Sequence, residues 1–401
     1  MKVPIAFAET LTGKHEAPRP TCLHRKEKKW HLSGPQEFSM FTYPLILSRA
    51  AFARERRSLI FVWLIGLFTV IPAGNAQEYA QEYVFFDPSG STYTQPNSIN
   101  RAGEITGYYL DGHTSQGFLR DRDGTMLVVN PPGSTYTTPQ GINRLGEIVG
   151  TYTDASNAFH GFLRARDGSF VIIDPPGSLS TSVAAINNAG VLTGSYSDGV
   201  ISRGFLRSRD GTFTTFDVAG AVLTFPAGIN NLGAVTGSYA ESSGLYHGFL
   251  RTSDGAITTF DPPGSFNTNP VGIDRAGDIT GYYDNGSGRL HGFLRLSDGT
   301  ITTFDGPGAT LTVPTAISPR GEITGVYDDA RSVNHGFVRS GTSESALRPF
   351  DPPRSTDTFP ESINAFGIVT GVYNGAHGFI GRPHHHEDGY QPPEEEQQQS
   401  Q

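Results

Sequence analysis

Cysteine, tryptophan and lysine are scarce in this 401-residue chain and absent from most of it. The single cysteine is Cys22, the two tryptophans are Trp30 and Trp63, and the last lysine is Lys29. Beyond residue 76 the chain therefore forms no disulfide and offers no thiol nucleophile. It also lacks the lysine that a P-loop, a Schiff base or a Ser-Lys dyad requires. Neither GxSxG nor HExxH occurs in the sequence, so enzymes that depend on those motifs are excluded as well.

Positive charge is also scarce after residue 76. Of the 30 lysines and arginines, 11 precede Gln77, whereas only 5 of the 39 acidic residues do. The remaining 19 arginines stand against 34 carboxylates, which gives residues 77–401 a formal charge of −15. Such a chain repels phosphate backbones and anionic lipid. We therefore expect neither a nucleic-acid partner nor binding to a membrane surface.

The start of the chain has the features of a secretory signal. The apolar run Leu59–Ile71 follows the basic RERR and precedes the small residues of AGNAQE. This order is typical of signal peptides, and the run is shorter than the roughly 20 residues that span a bilayer. We expect residues 1–76 to be a leader and signal that is cleaved after Ala76, with an uncleaved membrane anchor as the alternative. Met40 is an alternative start, in which case residues 1–39 are not translated.

The two ends together predict where the protein resides. After cleavage it is expected to be secreted, periplasmic or at the cell surface, without a stable membrane span, and monomeric. Residues 382–401, RPHHHEDGYQPPEEEQQQSQ, offer little apolar surface to bury and predict a disordered acidic tail. The adjacent His384, His385 and His386 on such a tail form no preorganised metal site.

Residues 77–381 repeat one unit seven times, in steps of 43 to 46 residues. An FDP-like segment, an isoleucine usually followed by asparagine, a GxxxG unit and a Gly-Phe pair recur in this order. The isoleucines are Ile99, Ile142, Ile186, Ile229, Ile273, Ile317 and Ile363. The phenylalanines of the Gly-Phe pairs are Phe118, Phe162, Phe205, Phe249, Phe293, Phe337 and Phe379. Repeats of this length predict a propeller or another repeat architecture.

Each repeat predicts four short strands, here called A to D. In the copy at residues 266–305 they are FNTNPVGI, DITGYY, LHGFLR and TITTFD, separated by the turn sequences DRAG and SDG. Six of the seven A strands carry proline three residues before the isoleucine. Proline suits an edge strand, and the innermost strand of a propeller blade is an edge strand. Helical apolar spacing does not occur in the repeats. The pattern predicts an all-β fold, a seven-bladed β-propeller of four-stranded blades.

The ends of the repeat region predict how the propeller closes. The seventh repeat ends at HGFIGRP and lacks strand D, whereas a spare strand D, EYVFFDP, precedes the first repeat. We expect Tyr83–Asp87 to pair with the strand around Gly378–Ile380. The N-terminal strand would then complete the last blade, which removes an exposed sheet edge.

The repeat resembles a known family. The stretch GINNLGAVTGSYAESSGLYHGFLRTSDGAITTFD, residues 228–261, is similar to the bacterial extracellular HAF repeat, named for its His-Ala-Phe signature. The resemblance covers about residues 82–381, and here glycine takes the middle position of the signature. It implies export and a propeller-like β architecture. It implies no activity that transfers to a residue of this chain.

Histidines and arginines that recur at one register are candidate sites with a structural alternative. His160, His247, His291, His335 and His377 precede the Gly-Phe pairs, and a metal site would need several of them to converge on one point. Because blades spread around a ring, we expect each histidine to bond a turn within its own blade. Five arginines each precede an aspartate by three residues, and we expect these charge pairs to bracket the C–D hairpins: Arg120, Arg164, Arg207, Arg251 and Arg295, with Asp123, Asp167, Asp210, Asp254 and Asp298.

The B–C loops vary most between repeats and are the predicted binding surface. Strand direction puts the B–C and D–A loops at the same end of a propeller, and variable loops on a rigid scaffold commonly bind ligands. The candidate ligand-binding residues are Asp154, Phe159, Glu241, Tyr246, Asp284 and Arg289. Turn formation is the alternative explanation for the loop aspartates, and unconstrained drift is the alternative for the variation.

The sequence predicts no cofactor. Loop aspartates could hold calcium, but no EF-hand or tandem calcium spacing supports this. No acidic residue is expected to stand outside the repeat pattern, as a lone catalytic carboxylate would. The sequence favours a non-catalytic exported propeller that binds a carbohydrate or a protein. The alternative is an exported polysaccharide hydrolase or lyase that uses acidic loop residues.

Overall fold

The computed structural model describes residues 83–342 and 346–383, which form strands, turns and loops without a helix. The predicted signal, its cleavage site after Ala76 and the histidines of the tail lie outside the described residues. In these two ranges no helix is long and apolar enough to cross a membrane.

The described residues contain 28 strands. They are β1 (Tyr83–Phe86), β2 (Tyr93–Ile99), β3 (Ile105–Leu110), β4 (Ser115–Arg120), β5 (Met126–Val128), β6 (Tyr136–Ile142), β7 (Ile148–Thr153), β8 (Phe159–Arg164), β9 (Phe170–Ile173), β10 (Ser180–Ile186), β11 (Leu192–Ser197), β12 (Ser202–Arg207), β13 (Phe213–Phe216), β14 (Leu223–Ile229), β15 (Val235–Ala240), β16 (Tyr246–Arg251), β17 (Ile257–Phe260), β18 (Asn267–Ile273), β19 (Ile279–Asp284), β20 (Leu290–Arg295), β21 (Ile301–Phe304), β22 (Thr312–Ile317), β23 (Ile323–Asp328), β24 (Asn334–Arg339), β25 (Arg348–Phe350), β26 (Thr358–Ile363), β27 (Val369–Tyr373) and β28 (His377–Gly381).

The strands pair antiparallel in sets of four, in the order A to D that the repeats predict. β2–β5, β6–β9, β18–β21 and β22–β25 are separate four-stranded sheets. β10–β13 and β14–β17 are two such sets, joined into one sheet by a single parallel pair between Ser202 and Leu223. The last sheet has the order β1-β28-β27-β26, so its strand D comes from the start of the described chain.

The pairing of β1 with β28 has the register that the sequence predicts. Tyr83 lies opposite Gly381, and Phe86 lies opposite Gly378. The side chain of His377 extends this contact, because its Nδ1 lies 2.7 Å from an oxygen of Asp87 just beyond β1.

A β-bulge interrupts strand A of each set immediately after its proline or, in β10, after Val183. The bulge brings strand A so close to strand B that only glycine fits at the end of the GxxxG unit. A Cβ on Gly107 would lie 1.9 Å from the carbonyl oxygen of Gln95, and one on Gly194 would lie 2.0 Å from that of Ser182. The bulge and its partner glycine thus explain why this glycine recurs in every repeat.

The Gly-Phe pair of strand C places a buried ring beside a position that has no room for a side chain. Phe162, Phe205, Phe249, Phe293, Phe337 and Phe379 are fully buried. A Cβ on Gly204 would lie 2.7 Å from the ring of Phe216, and one on Gly292 would lie 2.7 Å from that of Phe304. An alanine at this position would therefore collide with the strand D ring, which explains why glycine recurs here.

The hydrophobic core lies between neighbouring sets. One cluster joins Leu119 and Val129 of the first set to Ile142, Ile148 and Phe162 of the second. Its counterparts join each later pair of neighbours, and Ile99, Ile105 and Phe118 pack against Phe86 and Ile380. Since each set buries apolar side chains on both of its faces, burial rather than disulfides holds the sets together.

The arginines at the end of strand C attract the hairpin aspartates through charge, as predicted, but their guanidinium groups contact other partners. The Arg120 guanidinium lies 5.1 Å from the ring centre of Phe86 and donates to the carbonyl oxygen of Asp121. Arg251 and Arg295 lie over Phe216 and Phe260 in the same way. The hairpin aspartates bond the turn backbone instead, because it is the nearer partner; Asp123, for example, accepts the amide of Thr125 at 2.8 Å.

Candidate functional site

Five histidines at the start of strand C each bond an aspartate that directly follows strand D of the same sheet. The histidine Nδ1 lies 2.7 to 3.0 Å from a carboxylate oxygen. The pairs are His160–Asp174, His247–Asp261, His291–Asp305, His335–Asp351 and His377–Asp87. The B–C and D–A loops therefore share one end of the sheets, here called the loop end; the A–B and C–D turns form the turn end. As predicted, each histidine bonds a loop residue of its own four-stranded set, and for His377 that residue comes from the start of the described chain.

Neighbouring side chains contact each histidine and its aspartate as well. A strand B tyrosine packs on the ring, with centroids 5.2 Å apart for Tyr152 and His160. The second oxygen of the aspartate accepts a threonine hydroxyl from the next strand A in three sets: Thr94 to Asp87, Thr268 to Asp261 and Thr358 to Asp351. A histidine ring that packs against a tyrosine and bonds an aspartate through Nδ1 has a structural role.

Two sets replace the histidine and keep the bond. Arg203 stands at the histidine position of β12, and its guanidinium reaches Asp217 at 2.7 Å and Asp198 at 3.3 Å. In the first set the aspartate is replaced by Asn130, and its amide donates to the side-chain oxygen of Gln116 at the histidine position. An exchange of both partners together preserves a hydrogen bond and removes any acid–base chemistry, which supports the structural role.

His160 lies between two carboxylates. Its Nδ1 bonds Asp174 at 2.7 Å, and its Nε2 lies 3.5 Å from Asp154. Burial lowers the pKa of His160, but hydrogen bonds and charge from Asp174 and Asp154 outweigh that effect, so the pKa is raised. Asp154 also accepts hydrogen bonds from Ser156 and Ala158, and these bonds lower its pKa to about 2. Asp154 therefore stabilises the turn of its own loop.

The structure links the candidate residues of the fourth and fifth sets through Asn267. The Asn267 side chain accepts the amide of Tyr246 at 3.0 Å and donates to Asp284 at 2.7 Å. Asp284 also accepts the amide of Gly286 at 3.0 Å. Glu241 and Arg289 lie exposed in the two flanking loops. Asn267 thus joins Tyr246 and Asp284 across two neighbouring sets, and we call these two residues and the exposed Glu241 and Arg289 of the adjoining loops the loop patch.

Asp154 and Phe159 do not join the loop patch. They belong to β6–β9 and its B–C loop, and the whole β10–β13 set lies between them and β14. Phe159 is 36% exposed, so its ring is available to a partner at a separate place on the same end. Turn formation accounts for one oxygen of Asp154 and one of Asp284. In the described ranges no group of three or more His, Cys, Asp or Glu side chains is arranged to hold a metal ion.

The asparagines of the repeats form a ladder at the turn end that sequence reasoning missed. Each donates its side-chain amide to the backbone carbonyl of the matching residue in the next set. Asn100 reaches Asn143 at 3.0 Å, and Asn364 reaches Asn100 at 3.1 Å. Asn143, Asn187 and Asn230 continue the series, and it stops at Asp274 and Ser318, which lack an amide. The recurrence of asparagine after the isoleucine is the sequence feature that could have predicted this ladder.

Glu361 is the second residue that sequence reasoning missed. It occupies the bulge of β26, where the other sets have Asn97, Gln140, Ala184, Ala227, Val271 and Thr315. The expectation that no acidic residue stands outside the repeat pattern is therefore wrong. Glu361 is half-buried in strand A of the last sheet and accepts a hydrogen bond from the Gln95 side chain. Burial outweighs that bond and raises the pKa of Glu361 to about 7. Alignment of the seven A strands at their bulge would have found it.

Comparisons with known proteins identify the fold and no family. No family model and no curated protein matches this chain. A streptogramin B lyase structure covers 75% of this chain and 97% of its own, at 16% identity and a TM-score of 0.50. A catalytically inactive variant of virginiamycin B lyase from Staphylococcus aureus with quinupristin gives 15% identity and 0.51, covering 75% of this chain and 99% of its own. Puromycin hydrolase gives 13% identity and 0.50, covering 73% of this chain and 52% of its own.

These three structures are β-propeller-like, and the likeness extends over most of the described chain. At such low identity it shows the fold alone. The protein is therefore an all-β, propeller-like chain of four-stranded sheets.

Proposed function

We propose that the protein is an exported, non-catalytic propeller of the HAF-repeat type that binds a carbohydrate or protein ligand at its loop end. The observation that carries the proposal is the contrast between the strand ends and the loops at that end. At the strand ends, histidines bond aspartates and tyrosines pack on the histidine rings, whereas the variable loops expose Glu241, Arg289 and part of Tyr246. Rigid strand ends beneath variable exposed loops are the usual arrangement of a binding surface.

Seven blades in a closed ring are part of this proposal. Six sets consist of consecutive strands, and β1 supplies the missing strand D of the seventh. Contacts between the first and last sets support closure: the Thr94 amide donates to the Ala376 carbonyl at 2.8 Å, and Asn364 donates to Asn100. A ring closed in this way has no set without two neighbours, which holds the loop patch in a fixed geometry.

Export is the part of the proposal that rests on the N-terminal sequence. The basic flank, the apolar run Leu59–Ile71 and the small residues at Gly74 and Ala76 support cleavage before Gln77. We expect N-terminal sequencing of material from outside the cytoplasm to begin at or near Gln77. A start upstream of Leu59 in the exported protein would contradict cleavage and favour the membrane anchor.

The loop patch favours a carbohydrate over a protein ligand. It combines an aromatic ring with a carboxylate, an amide and a guanidinium within two neighbouring loops, and aromatic rings with polar neighbours suit sugar hydroxyls. A glycan screen of residues 77–401 should find a ligand, and alanine at Glu241, Tyr246 or Arg289 should weaken it about tenfold. Alanine at Asp123, Asp167 or Asp254, at the turn end, is the control and should leave binding unchanged. The reverse pattern would move the site to the other end.

A polysaccharide hydrolase or lyase is the second candidate, and Glu361 is the observation that favours it. A carboxyl with a pKa of about 7 can exchange a proton at neutral pH. Two of the solved structures with a similar fold are a lyase and a hydrolase. The same glycan screen separates the candidates, because an enzyme releases product. Product release that Glu361→Gln abolishes would establish the enzyme.

A further inference from the structure

The break in the asparagine ladder coincides with a cavity at the turn end. The cavity has a volume of about 360 Å³ and lies between the A–B turns of the fifth and sixth sets. Its lining residues are Asp274, Arg275, Ala276, Pro319 and Arg320. In the sets where the ladder is intact, an asparagine amide spans the gap between the two turns. Asp274 and Ser318 cannot span it in that way, so the gap is left open here.

Positive charge is concentrated beside this cavity. Arg275 and Arg320 are exposed at its edge. The Arg320 guanidinium also lies 5.9 Å from the ring centre of Phe366, and Arg101 approaches the same ring to 5.2 Å. Phe366 is 40% exposed, so a guanidinium–aromatic surface extends from the cavity toward the first set. This concentration of positive charge stands out in a chain whose repeats are strongly acidic.

Acidic groups of turns at this end have partners of their own, although the charge of Asp278 also acts on Asp274. In the first two sets, Glu104 pairs with Arg166 at 3.2 Å and Glu147 pairs with Arg209 at 2.7 Å. In the fifth set, Asp278 accepts the amide of Ser297 at 2.7 Å. The ion pairs of the described ranges include neither Arg275 nor Arg320. Their positive charge is therefore available to a ligand.

Asp274 contributes a buried acceptor to the same cavity. Its side chain is only 5% exposed, and one oxygen accepts the amides of Gly277 and Asp278 at 2.9 Å. The other oxygen replaces the donating amide of the ladder and faces the turn of the sixth set, 3.4 Å from where a Cβ on Gly321 would lie. Burial, together with the nearby charge of Asp278, raises the pKa of Asp274. An oxygen in this position suits a hydroxyl group of a ligand.

We propose that this cavity binds an acidic saccharide, with its carboxylate held by Arg275 and Arg320 and a hydroxyl bonded to Asp274. A guanidinium pair fits a carboxylate by charge and by hydrogen-bond geometry. The volume of the cavity suits one sugar ring, and Phe366 offers an apolar ring edge beside it. The site is independent of the loop patch, because it lies at the opposite end of the strands.

Calorimetric titration with trigalacturonate, and with the neutral trigalactose as its uncharged match, tests this site. We expect trigalacturonate to bind and trigalactose to bind at least tenfold more weakly. The double variant Arg275→Gln/Arg320→Gln should lose at least tenfold in trigalacturonate affinity without a change in melting temperature, because both side chains are exposed. Arg144→Gln is the matched control, since Arg144 holds the same turn position in the second set and lies away from the cavity.

Each contrary outcome overturns the proposal. An equal loss in Arg144→Gln would show diffuse attraction to positive charge. Equal affinity for trigalactose, or displacement by inorganic phosphate at the same concentration, would show that the carboxylate sugar is not the ligand. Alanine at Glu241, Tyr246 and Arg289 should leave trigalacturonate binding intact, which separates this site from the proposed function.

Discussion

At the scale of single residues, Glu361 shows how one exchange in a repeated register alters the chemistry of a position. Two other bulge residues donate hydrogen bonds to the proline carbonyl of the next set: Asn97 to Pro139 at 2.6 Å and Thr315 to Pro360 at 2.7 Å. A glutamate can donate in this way only when it is protonated. The position thus favours the neutral acid, in agreement with its raised pKa.

The raised pKa of Glu361 predicts how the stability of the protein depends on pH. In the unfolded chain the carboxyl ionises near its ordinary value of 4.5, whereas in the native protein it keeps its proton to about 7. The native state therefore loses stability as pH rises through this window and has lost the full amount above pH 7. After a discount for partial access to water, we expect Glu361→Gln to exceed the wild type by about 2 kcal/mol at pH 8.

Urea unfolding at pH 4 and pH 8 measures this effect. The free energy of unfolding of Glu361→Gln should match that of the wild type at pH 4 and exceed it at pH 8. Glu241→Gln, on an exposed loop, is the control and should show no such difference at either pH. If both variants responded to pH alike, the inner position of Glu361 would not be the cause.

At the scale of strands and turns, local sequence predicts most of what the structure contains. LHGFLR was expected as strand C of its repeat and forms β20, Leu290–Arg295. FNTNPVGI was expected as strand A, and β18 begins one residue later at Asn267. These segments are predictable because glycine, aspartate and asparagine turns bound each strand, and such turns depend on neighbouring residues in sequence.

Contacts that depend on the neighbouring set were not predictable from one repeat. The ladder needs both an asparagine and the carbonyl of another repeat, and the destination of a bulge side chain depends on how two sets pack. The candidate site shows the same limit. The sequence predicted that Tyr246 and Asp284 lie at one end of the strands. It did not identify Asn267, which joins them, because the role of Asn267 requires two repeats side by side.

At the scale of the whole molecule, β1 is the strand whose loss we expect to matter most. Deletion of residues 77–88 removes β1 and Asp87, leaves β28 as an open edge and deprives His377 of its partner. An exposed edge strand pairs readily with other chains. We expect a large fall in melting temperature and aggregation, measured by thermal unfolding and light scattering. Deletion of residues 77–82 alone, which spares β1, is the control.

A deletion variant of residues 77–88 that stays monomeric with an unchanged melting point would contradict this expectation. Asp87→Asn isolates the side-chain contribution, because it removes the charge of the His377 contact and keeps the strand. Its effect should be small beside that of the deletion, since strand pairing and the packing of Tyr83 and Phe86 remain.

The bond between His377 and Asp87 also fixes the order in which the molecule can assemble. The other four histidine–aspartate pairs join residues 14 or 16 apart in sequence, whereas this one joins residues 290 apart. The entropy of closing the longer loop costs about 3 kcal/mol more than that of a 14-residue loop. Six sets of four strands can thus form locally as the chain emerges, and the last set waits for both β1 and β28. Folding should finish, and unfolding should begin, where β1 meets β28.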